Sequence, residues 1–301
     1  MDRQRLISYA RKKWQEMTIT SDPMFGMVME NKEICLGLIN RALPKLKARK
    51  IMHLVTQKDV NVVAAHRVRF DVFVQDDQNN TVVIEMQVNN RKNLPARLRY
   101  YQEQVDHSLL RAGADYRLLD KYPTYVIMFC DFDYFGRGWA RYEFKMSCTR
   151  DHKLKFSDNR TIVVFNALAK EFKNDEKPIK DFLALMRDQG DNKDRFIAQI
   201  QREVDKVKQD PERRQGFMKY EMLMMDARRE GLEEGRAEGL KKGHEKGRAE
   251  GIKIGEARVR DKGINTLIKN LQELNVNQSM IKQRVKDSYD LSDEELAKYF
   301  D

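Results

Sequence analysis

Two apolar-alternating stretches joined by a run of turn formers constrain this chain more than anything else in it. HRVRFDVFVQDD (66–77) and NNTVVIEMQVNN (79–90) alternate apolar with polar positions and are rich in Val, Ile and Phe, and Asp76-Asp77-Gln78-Asn79-Asn80 links them with turn chemistry. Together they predict a β-hairpin. Strand side chains alternate faces, so Ile84 and Met86 point into a core while Glu85 and Gln87 share the opposite face. Two polar groups therefore project side by side from a very apolar strand.

The flanking sequence supplies layers for that hairpin. Residues 1 to about 50 read as helical: in MFGMVMENKEICLGLINRAL, Met27, Ile34 and Leu38 recur at three- and four-residue steps until Pro44 ends the pattern. After the hairpin, LPARLRYYQEQVDHSLLRAG has helical spacing up to Gly113, PTYVIMFCDF is a short apolar strand and RTIVVFNA a further one. The order helix, strand, strand, helix, strand, strand fits an α/β layered core better than a bundle. Residues 175–230 are charged and helical, a bracing or connecting element. The expected division is a core over 1–190, a helical connector over 191–230, a glycine repeat over 231–258 and a small helical segment over 259–301.

Gly231, Gly235, Gly239, Gly243, Gly247, Gly251 and Gly255 recur every four residues. On a helix four residues advance about 400°, so the glycines form a slowly creeping stripe of bare backbone. Each costs roughly 1 kcal/mol relative to alanine, so such a helix calls for close packing, most simply against a second copy. A homodimer through 231–258 is one reading; a flexible charged linker is the other. Beyond it, Ser292 with Glu295 three residues on predicts a capping box, and the break at Leu274-Asn275-Val276 suits either a helix-turn-helix or a small packing cap.

Composition narrows the function classes. The longest apolar run, Tyr125 to Cys130, is far below the roughly 20 residues that cross a bilayer, and MDRQRLISYARKKW has no apolar signal core. Neither export nor membrane insertion is expected. Three dispersed cysteines, Cys35, Cys130 and Cys148, argue against a disulfide framework and place the chain in a reducing cytoplasm. With 57 basic against 47 acidic residues the net charge is +10, which favours polyanions, nucleic acid first. His53, His66, His107, His152 and His244 show no HExxH spacing, which disfavours zinc, and no GxxxxGK[ST] supports nucleotide hydrolysis.

If Asp71 faces the same side of its strand as Glu85, the two carboxylates come within reach of one hard divalent cation. Phosphodiester hydrolysis needs such a cation to neutralise phosphate and activate water, and Gln87 would position that water or a phosphate oxygen. The residues alone equally allow Asp71 and Glu85 to sit on a solvated sheet face. Arg97, Arg99, Lys45, Lys47, Arg49 and Lys50 are candidate phosphate contacts, or ordinary solvated charge. On the same stretch as Arg97, Tyr100, Tyr101 and Gln104 would stack on DNA or simply pack.

Asp71, thirteen intervening residues and then Glu85-Met86-Gln87 resemble the PD-(D/E)xK nuclease superfamily, with glutamine where the usual pattern has lysine. More narrowly, DPMFGMVMENKEICLGLINRAL, DVFVQDD, VVIEMQV, ARLRYYQEQVDHSLLRAGADYRLL and PTYVIMFCDFDYF are similar to the Rpn family of recombination-promoting nucleases and transposases, over roughly residues 20 to 190; the G-x-x-x-G tail is similar too. The resemblance implies a restriction-endonuclease-like α/β core, a central mixed sheet flanked by helices, with a helical C-terminal extension. It also implies Mg²⁺-dependent endonuclease cleavage of double-stranded DNA at low sequence specificity, with Mn²⁺ as a substitute, and a link to recombination or mobile elements. Asp71 and Glu85 match its two metal carboxylates and Gln87 its third motif position. The helical acid that often completes such sites falls on Glu33 or Glu30, with Glu33 preferred. Losing the lysine charge is expected to modify rather than abolish activity. Two other readings stand beside this one: a catalytically weakened DNA-binding or defence module with the same fold, and an assembly protein whose core is only a scaffold.

Overall fold

The N-terminal apolar run is two helices and not one, because Asn31 interrupts it. Its Oδ1 accepts from the backbone N–H groups of Glu33 (3.1 Å) and Ile34 (3.3 Å), a side-chain cap that starts a new helix. The structure, a computed structural model, describes residues 3–60, 68–110, 112–191 and 193–300. His66 and Arg67, at the head of the expected hairpin, lie outside the described residues. In chain order the elements are helices α1 (Arg3–Glu16), α2 (Asp22–Met29) and α3 (Lys32–Ala42), strands β1 (Ile51–Val60), β2 (Val68–Asp76) and β3 (Thr81–Gln87), helix α4 (Leu94–Leu109), and strands β4 (Thr124–Cys130), β5 (Arg141–Phe144) and β6 (Arg160–Asn166). Helices α5 (Lys180–Leu185), α6 (Arg195–Gln209), α7 (Pro211–Glu273), α8 (Gln278–Tyr289) and α9 (Asp293–Ala297) follow.

The six strands form one sheet in the order β1-β2-β3-β4-β6-β5. β1, β2 and β3 are antiparallel neighbours, β3, β4 and β6 run parallel, and β5 returns antiparallel at the far edge. The hairpin register sets the two faces. Val72, Val74, Val82, Ile84 and Met86 pack with α2, α3, α5 and α6, while Phe73 and Val83 pack with Leu94, Leu98 and Tyr101 of α4. β4 is covered on both sides, which is why its sequence is a continuous apolar run rather than an alternation. A mixed sheet flanked by helices, followed by a helical extension, is the restriction-endonuclease-like architecture that the resemblance implied.

Two strands had not been foreseen. β1 holds the polar run Thr56-Gln57-Lys58-Asp59 at the sheet edge, where one flank is solvated and no apolar alternation is required. β5 has only four residues, too few for any pattern.

Two compact units are present, residues 1–222 and 223–301. The second has its own small core of Ile264, Ile268, Ile281, Val285 and Leu291, and the expected Ser292–Glu295 capping box is formed. The glycine repeat is helical within α7. A Cβ added at any glycine of the repeat from Gly231 to Gly255 would meet nothing within 4 Å, so among the described residues nothing packs on the stripe. Among the described residues no helix is long and apolar enough to cross a membrane.

Candidate active site

The hairpin ladder ends one step short of its acids. Paired residues run from Gln75↔Thr81 to Val72↔Ile84, and Asp71 and Glu85 would be the next pair, but there the strands part. Carboxylates take the place of the lost backbone acceptors. The Asp71 N–H donates to Glu85 Oε1 at 2.9 Å, and the Met86 N–H donates to Asp71 Oδ2 at 3.0 Å. Each acid is thus fixed by the backbone of the strand opposite, and both are buried, Glu85 at 0% exposure and Asp71 at 8%. The solvated-face alternative is excluded by that burial.

Helix α4 brings a cation to this pair. Arg97 and Tyr101 are four residues apart and so share one face of the helix. Arg97 Nη2 donates to Glu85 Oε2 at 3.2 Å, and Nη1 donates to Gln87 Oε1. Tyr101 Oη accepts from Arg97 Nε and Nη2 at 2.9 and 2.6 Å, and the hydroxyl acts to lower the Glu85 pKa. The Tyr101 ring packs edge-on against Phe70, so this tyrosine both packs and orients. Gln87 is committed at both ends of its amide, since Nε2 donates to the Asn89 carbonyl at 2.7 Å. In this structure Gln87 holds Arg97, where the expectation was that it would position water or a phosphate oxygen. Arg97, a candidate phosphate contact, is held within the carboxylate cluster.

A third acid approaches from a residue that sequence reasoning passed over. Asp22, in the first turn of α2, lies close enough to Asp71 to raise its pKa and is held by Gln57 Nε2 at 2.8 Å and by Arg69 at 3.7 Å. Glu33 is exposed in the first turn of α3, and Glu30 is bonded to Thr56 and Arg213, so the helical acid beside Asp71 is neither of the two expected. The available signal was Ser21-Asp22-Pro23, a helix start that sets an acid at a positive helix end.

Electrostatics follow from burial. Desolvation pushes the Asp71 carboxyl up to about 7, helped by the Asp22 charge and opposed by the Met86 N–H and Arg97. Glu85 is raised well above the usual carboxylate range, by burial first and then by the Asp71 charge. Burial works against the Arg97 charge, yet Tyr101, Glu85 and Asp71 together hold its pKa above the ordinary arginine value. Asp22→Asn removes an anion from Asp71. The midpoint of pH-dependent Mn²⁺ binding, followed by calorimetry, should move to lower pH; an unmoved midpoint would show that Asp22 does not act on the pair.

The remaining candidates lie elsewhere. Arg99 is exposed, about 200° round α4 from Arg97. Lys45, Lys47, Arg49 and Lys50 are exposed in the loop before β1, at the Asp76 end of β2. Five residues of strand separate that end from Asp71, roughly 17 Å at about 3.3 Å per residue. Gln104 is buried on α4, with Oε1 unpartnered.

Residues 23–237 match the family described as PD-(D/E)XK nuclease family transposase. The chain belongs to that family. No curated protein and no solved structure matches the chain. As a PD-(D/E)XK nuclease family transposase it is expected to work with a divalent metal, and the donor set can be tested for that. Among the described residues no three His, Cys, Asp or Glu side chains are gathered to hold an ion unaided. The Asp71 and Glu85 oxygens offer hard donors with lone pairs to spare, since Glu85 Oε1, Glu85 Oε2 and Asp71 Oδ2 each accept only one or two bonds. One or two carboxylates, with water and substrate phosphate completing the shell, is how Mg²⁺ is usually bound. The residues fit a magnesium-like ion better than a zinc.

Proposed function

We propose that this PD-(D/E)XK nuclease family transposase is a Mg²⁺-dependent DNA endonuclease of low sequence specificity. The observation that carries the reading is the buried Asp71–Glu85 pair, cross-bonded by backbone N–H groups where the strands diverge. Burying two acids in contact is costly unless something uses them. Asp71 and Glu85 would hold the ion, and a bound ion would supply charge neutralisation at phosphate and lower the pKa of water. Arg97 faces the negative charge that gathers on the phosphate oxygens as water's oxygen joins phosphorus and the leaving oxygen departs. Gln87 and Tyr101 keep that guanidinium aimed. The lysine absent from the third motif position is thus replaced by an arginine from the next helix, which supports cutting over a merely DNA-binding module. Supercoiled plasmid incubated with Mg²⁺, with and without EDTA, tests the reading: relaxed product must appear only without chelator, and no product in Mg²⁺ or Mn²⁺ would reject it.

The glycine stripe of α7 completes the proposal as a contact between two copies, which would let two centres cut both strands. Gly235→Ala, Gly239→Ala and Gly243→Ala together should raise helicity, each contributing roughly 1 kcal/mol, while the added methyls separate close-packed helices. Sedimentation should then show the wild type as a dimer and the triple variant as a monomer; an unchanged mass would reject the stripe as the contact.

A further inference from the structure

A second feature stands at the carboxyl ends of the parallel strands, where ligands of open α/β sheets gather. The segment between β4 and β5 is a tightly built loop that presents one tryptophan outward. Asp133 fastens it: Oδ1 accepts from the Gly136 N–H (3.0 Å) and the Tyr142 hydroxyl (2.7 Å), and Oδ2 from the Gly138 N–H (2.7 Å). Gly136 and Gly138 sit at φ of 66° and 70°, a conformation costly for other residues. The Tyr142 ring stacks on Trp139 at 5.5 Å and 27°, and Asn166 Nδ2, at the end of β6, donates to the Trp139 carbonyl at 3.2 Å. The indole is nevertheless 59% exposed.

Cations line the cleft beside that ring. Trp139 borders a cleft of about 620 Å³ whose other walls include Arg137, Lys170 and Lys173. All three are exposed, none has a carboxylate within ion-pair range among the described residues, and Lys173 Nζ lies 6.0 Å from the Trp139 ring centre. Of the acids in the wall, Glu176 is buried and bonded to the Lys173 N–H, leaving Glu171 exposed. A fixed, exposed aromatic face amid unpaired cations suits a ligand that is both planar and anionic: a base to stack, with phosphates on either side.

We infer that Trp139, with Arg137, Lys170 and Lys173, is a stacking platform for an unpaired base of the substrate strand. The inference rests on the nuclease reading and extends it to the strand state of the DNA. Trp139 lies two to three strands along the sheet from β3, roughly 10–15 Å at about 4.8 Å per strand. That is a few nucleotides from a phosphate at the ion proposed for Asp71 and Glu85, so the preferred substrate is DNA opened beside the cut.

Binding to a fluorescent oligothymidylate and to a duplex of equal length, measured by anisotropy with the full chain in EDTA, separates this from cleavage. Trp139→Ala should weaken oligothymidylate binding by roughly 5- to 150-fold, the effect of one stacked base, and leave duplex binding unchanged. Trp139→Phe should restore the affinity. Trp14 is buried at 2% exposure, so quenching of intrinsic fluorescence by oligothymidylate should come from Trp139 and vanish in Trp139→Phe. Equal binding by Trp139→Ala, or quenching that survives in Trp139→Phe, overturns the platform. If the wild type cuts plasmid while Trp139→Ala binds both DNAs normally, only this inference falls; if the wild type binds neither DNA at low salt, the nuclease reading falls as well.

Discussion

Asp71→Ala should lower Mg²⁺-dependent plasmid nicking by at least about a thousandfold, because it removes both a carboxylate proposed to hold the metal and the group that fixes the Met86 N–H. The same residue gives a stability signature that does not depend on activity. Without metal, the Asp71 carboxyl sits at about 7 in the fold against an ordinary 3.8, raised by burial and the Asp22 charge. A raised acid favours the folded state in its protonated form. That contribution is fully present below pH 4 and is lost as pH rises through 7, since between those values the native chain binds the extra proton. Asp71→Asn keeps the shape and removes the titration. In EDTA its melting temperature should therefore rise relative to wild type as pH goes from 5 to 8, and Mg²⁺ should close the gap by stabilising wild type alone. A melting difference that stays flat across that range would mean Asp71 does not ionise in the buried setting described, and the metal reading would lose its electrostatic basis.

The parts of this site that were legible in the sequence are those that local periodicity encodes. Alternation placed Glu85 and Gln87 on one face and Ile84 and Met86 on the other, and the core packing agrees. The facing of Asp71 depended on hairpin register, which turn residues and the apolar pattern fix together. Asp22 and Arg97 were harder because their part is tertiary. Asp22 reaches Asp71 from a helix roughly fifty residues upstream, and nothing in SDPM says which strand end it will meet. Glu33 was preferred over Glu30, with which it shares a face on helical spacing, yet the Asn31 cap breaks that helix and turns Glu33 to solvent. Arg97 read as a DNA contact because helical arginines so often are; only the approach of α4 to the splayed strands shows it bonded to Glu85. The pattern at Gln87 was visible as a departure from the usual lysine, but the arginine proposed as its compensation lies ten residues away on another element.

That compensation predicts an exchange. Arg97→Ala should cut nicking about 10²–10³-fold, the usual loss when one preorganised charge is removed from a phosphoryl or acyl transition state. Arg97→Lys should recover only part, since a point charge cannot bond Glu85, Gln87 and Tyr101 together as the guanidinium does. The informative variant is Gln87→Lys. In wild type it sets a second cation against Arg97, breaks the amide contact and should reduce turnover. In the Arg97→Ala background the same lysine stands where the guanidinium stood and should raise turnover at least about tenfold over the single variant, so the two substitutions couple with opposite signs. Melting temperatures of all four proteins, measured at the assay pH, separate lost charge from lost fold: Glu85 can take up a proton when its partner goes, which limits the structural cost. Additive losses, with Gln87→Lys harmful in both backgrounds, would mean that Arg97 only neutralises a buried glutamate, and the charge facing the phosphate would have to come from another residue.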